Sequence, residues 1–340
     1  METKIFDIEE EKERCLAETG KIIRAGGIVV FPTETVYGLG ADALNDEAVQ
    51  KIFAAKGRPA DNPLIVHFCR VEDIDQVCVV TDAAKKLLGK FSPGPITVVL
   101  KKRDCVSRYV TAGLDTVAVR IPSDETARAF IKAAQRPIAA PSANLSGKPS
   151  PTNFRDVYDD MSGRADAIIK GKDSRVGVES TVVDMTGENP VILRPGGVTI
   201  ADIRTLFPSA EIDKHVTKHV SMLEHPRCPG MKYKHYAPDA EVYVVEGAPD
   251  AVRRKIEELV LQNKDKCVGV LSIDGEYDAD VVLYAGKDNQ EYAKNLFRDL
   301  REFDRRGAEI VFAGFADDDG YGLAVKNRLY KAAANRIIHV

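Results

Sequence analysis

Two cations at fixed spacing on a turn, Lys56 and Arg58 in Lys56-Gly57-Arg58-Pro59, are the first residues equipped to hold an anion. A guanidinium offers a planar fork to two phosphate oxygens, and an ammonium acts as a compact point charge. The same four residues also suit a solvated turn. Further on, Ser142 and Asn144 in Ser142-Ala143-Asn144-Leu145-Ser146-Gly147 carry a hydroxyl and an amide. These can donate to phosphate or ribose, or simply cap a turn. Arg120 sits in the otherwise apolar strand Thr116-Val117-Ala118-Val119-Arg120-Ile121. A charge there is rarely left unpaired, so it is a structural ion pair or the clamp for a substrate carboxylate. Arg194, before Pro195-Gly196-Gly197, repeats the cation-on-a-turn arrangement.

Other residues invite sharper chemistry than their context supports. His67, in Leu64-Ile65-Val66-His67-Phe68, reads as a satisfied, half-buried histidine. Glu179-Ser180-Thr181 lacks the G-x-S-x-G setting and an accompanying His/Asp arrangement, which argues against a nucleophilic serine. His215 and His219, with His225 and Cys228, have the residue types of a metal cluster. In a lysine-rich stretch such spacing is more often incidental.

The elements that position these residues begin with one stretch, residues 31–68. Ile28 to Phe31 reads as a buried strand because every position is apolar, and Pro32 ends it. Thr33, Glu34, Thr35 and Tyr37 follow as a polar loop, and Gly38 and Gly40 read as tight or left-handed backbone. A helix from about Asp46 to Ala55 leads to the basic turn, and Leu64 to Phe68 forms a second strand. Strand ends and a basic turn converging in this way build the ligand crevice of an open α/β sheet. A helix over 9–25 precedes this stretch. After it come a helix from Thr81 to Lys90, strands at Ile96–Leu100 and Thr116–Ile121, a helix from Thr126 to Ala134 and a short strand from Pro137 to Ala140. Glu179–Met185 and Val191–Leu193 read as paired strands. From Glu241 onward strands and helices alternate, which predicts a parallel, doubly wound second domain. That domain contains no G-x-G-x-x-G and no phosphate-binding loop.

At 340 residues the chain has room for two domains. With 44% hydrophobic and 29% charged residues it reads as an ordinary soluble protein, and a net charge of −4 argues against a chain that coats nucleic acid. Six scattered cysteines without a C-x-x-C pair suit reduced thiols. Residues 1–14 are acidic and lack the apolar core of a secretory signal, and no run is long enough to span a membrane. The expectation is a cytoplasmic protein. Between Lys214 and Lys234 lie five Lys or Arg and one acid, Glu224, so a basic, ordered linker is expected.

Seven blocks in order carry a resemblance: FPTETVYGLGADA, KGRPADNPLIVH, SPGPITVVL, VAVRIP, APSANLSGKPSPT, GVESTVVD and ILRPGGVT. The chain resembles the YrdC-type threonylcarbamoyl-adenylate synthases, and CPGMKYKHYAP with the α/β tail resembles their longer, two-domain form. The fold so implied is α/β: a YrdC-like twisted, open, mixed sheet with a central concave site, plus a smaller Rossmann-like C-terminal domain. Residues 1–207 would form the catalytic domain, 208–238 a basic linker crossing the active site, and 239–340 the second domain.

The resemblance implies a nucleotidyltransferase that joins L-threonine, bicarbonate and ATP into L-threonylcarbamoyl-AMP with release of pyrophosphate. The product would feed the threonylcarbamoyl modification of tRNA adenosine beside the anticodon, through a downstream transferase machinery. By motif position, Lys56, Arg58, Ser142 and Asn144 match the catalytic, phosphate-holding K-x-R…S-x-N set. Asn62, Thr116, Ser150, Arg194 and Tyr236 match further ATP contacts. Thr35, His67, Arg120, Ala140 (through backbone) and Ser180 match the threonine pocket. Mg²⁺ would arrive with ATP, with no organic cofactor and no membrane partner. The chain departs from the family at Lys170-Gly171-Lys172, Asp124 and Cys228. Two other readings compete: a carbamoyl-adenylate-forming domain of the hydrogenase-maturation type, and a double-stranded RNA-binding module on the same fold, with weak RNA contact.

Overall fold

The computed structural model describes residues 2–217, 236–315 and 317–340. By packing, the chain divides into one unit of residues 1–146 and 151–233 and a second of residues 147–150 and 234–340.

The first unit is built on one mixed sheet. Its strands are β1 (Lys4–Asp7), β2 (Val29–Phe31), β3 (Gly38–Asp42), β4 (Ile65–His67), β5 (Ile96–Lys101) and β6 (Thr116–Arg120). They continue with β7 (Ile138–Ala140), β8 (Ala167–Lys170), β9 (Thr181–Asp184), β10 (Val191–Arg194) and β11 (Glu211–Ile212). The spatial order is β1-β8-β2-β3-β7-β4-β6-β5-β9-β10-β11. Side chains alternate between two apolar layers, as pleating requires. Val29 and Phe31 join the layer of helices Lys12–Arg24 and Glu125–Ala134, through Cys15, Ile23, Phe130 and Ile131. Ile28 and Val30 join the opposite layer, with helices Asp46–Lys56 and Asp82–Phe91. Asn45, Thr81 and Asp124 cap three of these helices with their side chains.

Three sequence expectations change here. Gly38 and Gly40 belong to β3, where the backbone is extended rather than left-handed. They are glycines because the Phe31 ring and Ile138 pack on them: a Cβ on Gly40 would lie 2.7 Å from Ile138 and 2.9 Å from Phe31. The sheet of the first unit runs past residue 207, since β11 pairs with β10. Residues 147–150 pack with the second unit: Arg301 donates to the Pro149 carbonyl at 2.6 and 3.1 Å, Ala237 N–H to the Gly147 carbonyl, and Lys148 pairs with Asp239. Most of the basic linker, residues 218–235, lies outside the described residues.

The second unit carries β12 (Glu241–Glu246), β13 (Val268–Ser272), β14 (Val281–Tyr284), β15 (Ile310–Phe315) and β16 (Ile337–His339), all parallel in the order β14-β13-β15-β12-β16. Helix Pro249–Gln262 covers the face of Val268, Val270, Ile310 and Phe312. Helix Asn289–Arg305 lies on the other, where Phe303 fits against Gly269. This is the doubly wound arrangement expected from the alternation of strands and helices. Among the described residues no helix is long and apolar enough to cross a membrane.

Candidate functional site

Strand ends deliver four candidate residues of the first unit, His67, Arg120, Ala140 and Arg194. β4 and β6 run parallel and end side by side, with His67 in register with Arg120. Arg120 is 4% exposed, and its guanidinium lies 2.9 Å from the carboxylate of Glu34, which is 1% exposed. The Nε of Arg120 has no hydrogen-bond partner among the described residues. Burial alone would raise the Glu34 carboxyl, but the Arg120 guanidinium outweighs it and holds the carboxyl below the ordinary glutamate range. His67 goes the other way. Burial, reinforced by Arg120, pushes its imidazole down to about 3. It is neutral at physiological pH, and its Nδ1 sits 3.1 Å from the Ile65 carbonyl. A carbonyl only accepts, so the neutral ring meets Ile65 as a donor from Nδ1.

The threonine-rich loop after β2 folds on itself. Thr33 Oγ1 lies 2.9 Å from Thr35 Oγ1 and donates to the Val36 carbonyl at 2.6 Å. Ser174 and Val176 reach back to the carbonyls of Thr33 and Glu34, so the segment after Lys170-Gly171-Lys172 braces this loop. Tyr37 Oη donates to the Gly171 carbonyl at 2.9 Å.

Lys56 closes helix Asp46–Lys56, and Gly57 ends it in the left-handed conformation, φ 62°. The Lys56 side chain therefore turns inward, 2% exposed for the residue. Its Nζ donates to the carbonyls of Ser142, at 2.6 Å, and Asn144, and lies 3.4 Å from Asn144 Oδ1. The Ser142 hydroxyl donates to the same Oδ1. The fold thus joins three of the four K-x-R…S-x-N residues in one hydrogen-bonded group. Arg58 is half-buried beside Asn62, with Nη2 3.4 Å from the carbonyls of Asn62 and Pro63. Asn62 is 0% exposed, yet neither Oδ1 nor Nδ2 of its amide has a hydrogen-bond partner among the described residues.

Arg194 ends β10 and donates through Nε and Nη2 to the Ser180 carbonyl at 3.1 Å, and through Nη2 to Ser180 Oγ at 3.2 Å. The Ser180 hydroxyl also lies 2.7 Å from Thr97 Oγ1. In that setting the hydroxyl is held by both Arg194 and Thr97. Gly196 allows the Arg194-Pro195-Gly196-Gly197 turn to press on this strand: a Cβ there would stand 2.4 Å from Glu179 O and from Thr181 N. Ala140 ends β7, in register with Ile65. Thr116 opens β6 at the end opposite Arg120, about 13 Å away at the usual strand rise. The two are not brought together.

Two candidates belong to the second unit. Ser150 is fully buried there, and Tyr236, at φ 65°, stacks on Phe297 at 5.0 Å. His215 pairs with Asp213 at 2.6 Å, while His219, His225 and Cys228 lie outside the described residues. Among the described residues no group of three or more His, Cys, Asp or Glu is placed to hold a metal. Asp124, a departure from the family pattern, caps helix Glu125–Ala134 through Ala127 N–H. Sequence reading missed Glu34 and Thr97 as site residues. The signal for Glu34 was Arg120 itself, since a buried guanidinium needs a counter-ion.

Two family models match. Sua5_yciO_yrdC, described as telomere recombination, covers residues 21–196, and the threonylcarbamoyl-AMP synthase C-terminal domain covers residues 198–334. A threonylcarbamoyl-AMP synthase of Pyrococcus abyssi is 51% identical over 336 residues, 98% of this chain and 97% of that protein. One from Bacillus subtilis is 44% identical, over 95% and 94%. The crystal structure of P. abyssi Sua5 complexed with L-threonine superimposes with a TM-score of 0.94 at 49% identity, covering 100% of this chain and 99% of that one.

Proposed function

The chain belongs to the threonylcarbamoyl-AMP synthase family, in its two-domain form, and we propose how its own residues carry the reaction. L-threonine, bicarbonate and ATP give L-threonylcarbamoyl-AMP and pyrophosphate. The threonine amine takes up the carbon of bicarbonate as a carbamate with loss of water. A carbamate oxygen then attacks the α-phosphorus, and the bond to the β-phosphate oxygen breaks. Such a step needs alignment and charge neutralisation more than a covalent nucleophile.

The observation that carries the reading is the hydrogen-bonded group of Lys56, Ser142 and Asn144. It holds a buried ammonium on the carbonyl acceptors of the Ser142–Asn144 loop, and a positive charge fixed there suits a triphosphate. Arg58 adds the planar fork, and the amide of Asn62, without a partner among the described residues, suits a nucleotide donor or acceptor. Arg194 and Thr116 make further ATP contacts, and Ser150 and Tyr236 stand at positions that match ATP contacts of the family. Arg120 takes the threonine carboxylate with the neutral His67 beside it, and Thr35, Ser180 and the Ala140 backbone complete that pocket. ATP enters as its magnesium complex. The product passes to a transferase that modifies tRNA adenosine, and the scattered free thiols suit work in the cytoplasm.

The test is pyrophosphate release from ATP by the full chain with Mg²⁺ and bicarbonate, with L-threonine, with L-serine and with neither. Threonine-dependent release supports the reading. Release indifferent to threonine, or none, sinks it and leaves RNA binding as the use of this fold.

A further inference from the structure

Arg120 and Glu34 form a pair of opposite charges that nothing in the reaction so far employs as a pair. Both are almost wholly buried, and 2.9 Å separates them. His67, beside Arg120, is neutral. Asp124, the next carboxylate toward Glu34, caps a helix, and burial, reinforced by the charge of Glu34, raises its carboxyl above the ordinary aspartate range. Arg120 and Glu34 together therefore carry a fixed dipole and no net charge.

We propose that Glu34 is a specificity-determining residue: by cancelling the charge of Arg120 it restricts the pocket to zwitterionic amino acids and rejects simple hydroxy-carboxylates. The inference rests on the reading of Arg120 as the carboxylate clamp. A lone buried guanidinium would draw in any monoanion. Beside Glu34, the same anion would leave the buried site with an uncompensated negative charge, which is strongly unfavourable. A ligand that brings its own α-ammonium leaves the site neutral. Discrimination of this kind works by penalising the wrong ligand rather than by adding contacts to the right one. It matters here because the amine is the atom that must become the carbamate nitrogen. A carboxylate without it would block the site unproductively.

The probes are L-threonine, 3-hydroxybutyrate (threonine without its amine) and L-threoninol (threonine without its carboxylate), each titrated calorimetrically into the full-length protein. Wild type binds both analogues at least about tenfold more weakly than threonine. Glu34→Gln narrows the gap between threonine and 3-hydroxybutyrate by about tenfold or more, whereas Glu34→Asp, which keeps the charge, retains it. An unchanged ratio in folded Glu34→Gln overturns the inference, as does an Asp variant that loses discrimination as fully as Gln. Should Glu34→Gln fail to melt cooperatively, the wild type decides alone: 3-hydroxybutyrate binding as tightly as threonine overturns the proposal. Arg120→Ala separates the two layers. If it binds threonine like wild type, the clamp falls and the inference with it. If it loses threonine while the Glu34→Gln ratio stays fixed, only the role of Glu34 falls.

Discussion

Arg194 holds Ser180 by both its hydroxyl and its peptide carbonyl, at 3.2 and 3.1 Å. The proposed ATP contact and the proposed threonine contact are therefore one rigid object. A shift of either substrate is felt by the other through a single guanidinium, consistent with a reaction that must align a carbamate oxygen with a phosphorus.

Lys56 gives the first prediction. Lys56→Ala removes a buried ammonium and leaves the carbonyls of Ser142 and Asn144 short of a donor. Threonine-dependent pyrophosphate release falls by the equivalent of about 2–5 kcal/mol in kcat/KM, and the urea midpoint also falls, by about 1–3 kcal/mol of stability. An active Lys56→Ala enzyme with the wild-type midpoint would remove this residue from the site.

Asn62 behaves in the opposite sense. Its amide is buried without a partner among the described residues, so Asn62→Leu relieves a desolvated polar group and leaves stability unchanged or higher. The KM for ATP rises nonetheless. Thermal melts and ATP titrations on the same preparation check both halves, and a clear loss of stability would mean the amide serves the fold.

His67 predicts a pH dependence. Its folded value of about 3 lies below the unfolded value of about 6.5. The unfolded chain therefore binds more protons between these limits, and stability rises with pH there. The contribution is complete above about pH 6.5 and is lost as pH falls toward about 3, at about 1.4 kcal/mol per pH unit. Urea midpoints at pH 7, 6 and 5 show this slope in wild type and a shallower one in His67→Asn. Parallel slopes would show that His67 is protonated in the fold.

Gly196 and Gly187 form a matched pair. A Cβ on Gly196 meets backbone at 2.4 Å, whereas one on Gly187 meets nothing within 4 Å. Gly196→Ala destabilises by about 1–3 kcal/mol and weakens threonine binding, while Gly187→Ala stays within about 0.5 kcal/mol of wild type. Equal midpoints for the two would show that the Arg194-Pro195-Gly196-Gly197 turn yields easily.

Much of this was legible in the sequence because apolar runs and caps act locally. Ile28–Phe31, Ile96–Leu100 and the parallel strands from Val242 onward are decided by their own residues. What was illegible depends on partners far along the chain. Gly38 and Gly40 read as a turn until Phe31 and Ile138 are seen packed on them. β1 and β8 pair across most of the first unit, and the half-exposed Lys4–Asp7 announces nothing alone. Likewise, Arg120 declared that a carboxylate must be near, but only folding identified Glu34. The K-x-R…S-x-N group was legible as residue types, while the inward turn of Lys56 required the left-handed Gly57.

The placement of residues 147–150 has a consequence for how the molecule comes apart. The chain enters the second unit at Gly147, leaves it at Ser150 and has returned to it by Tyr236. Cutting at residue 207 strips Gly147, Lys148 and Pro149 of Ala237, Asp239 and Arg301. Amide exchange at 147–150 follows the opening of the second unit, and Ser150 is released whenever that unit unfolds.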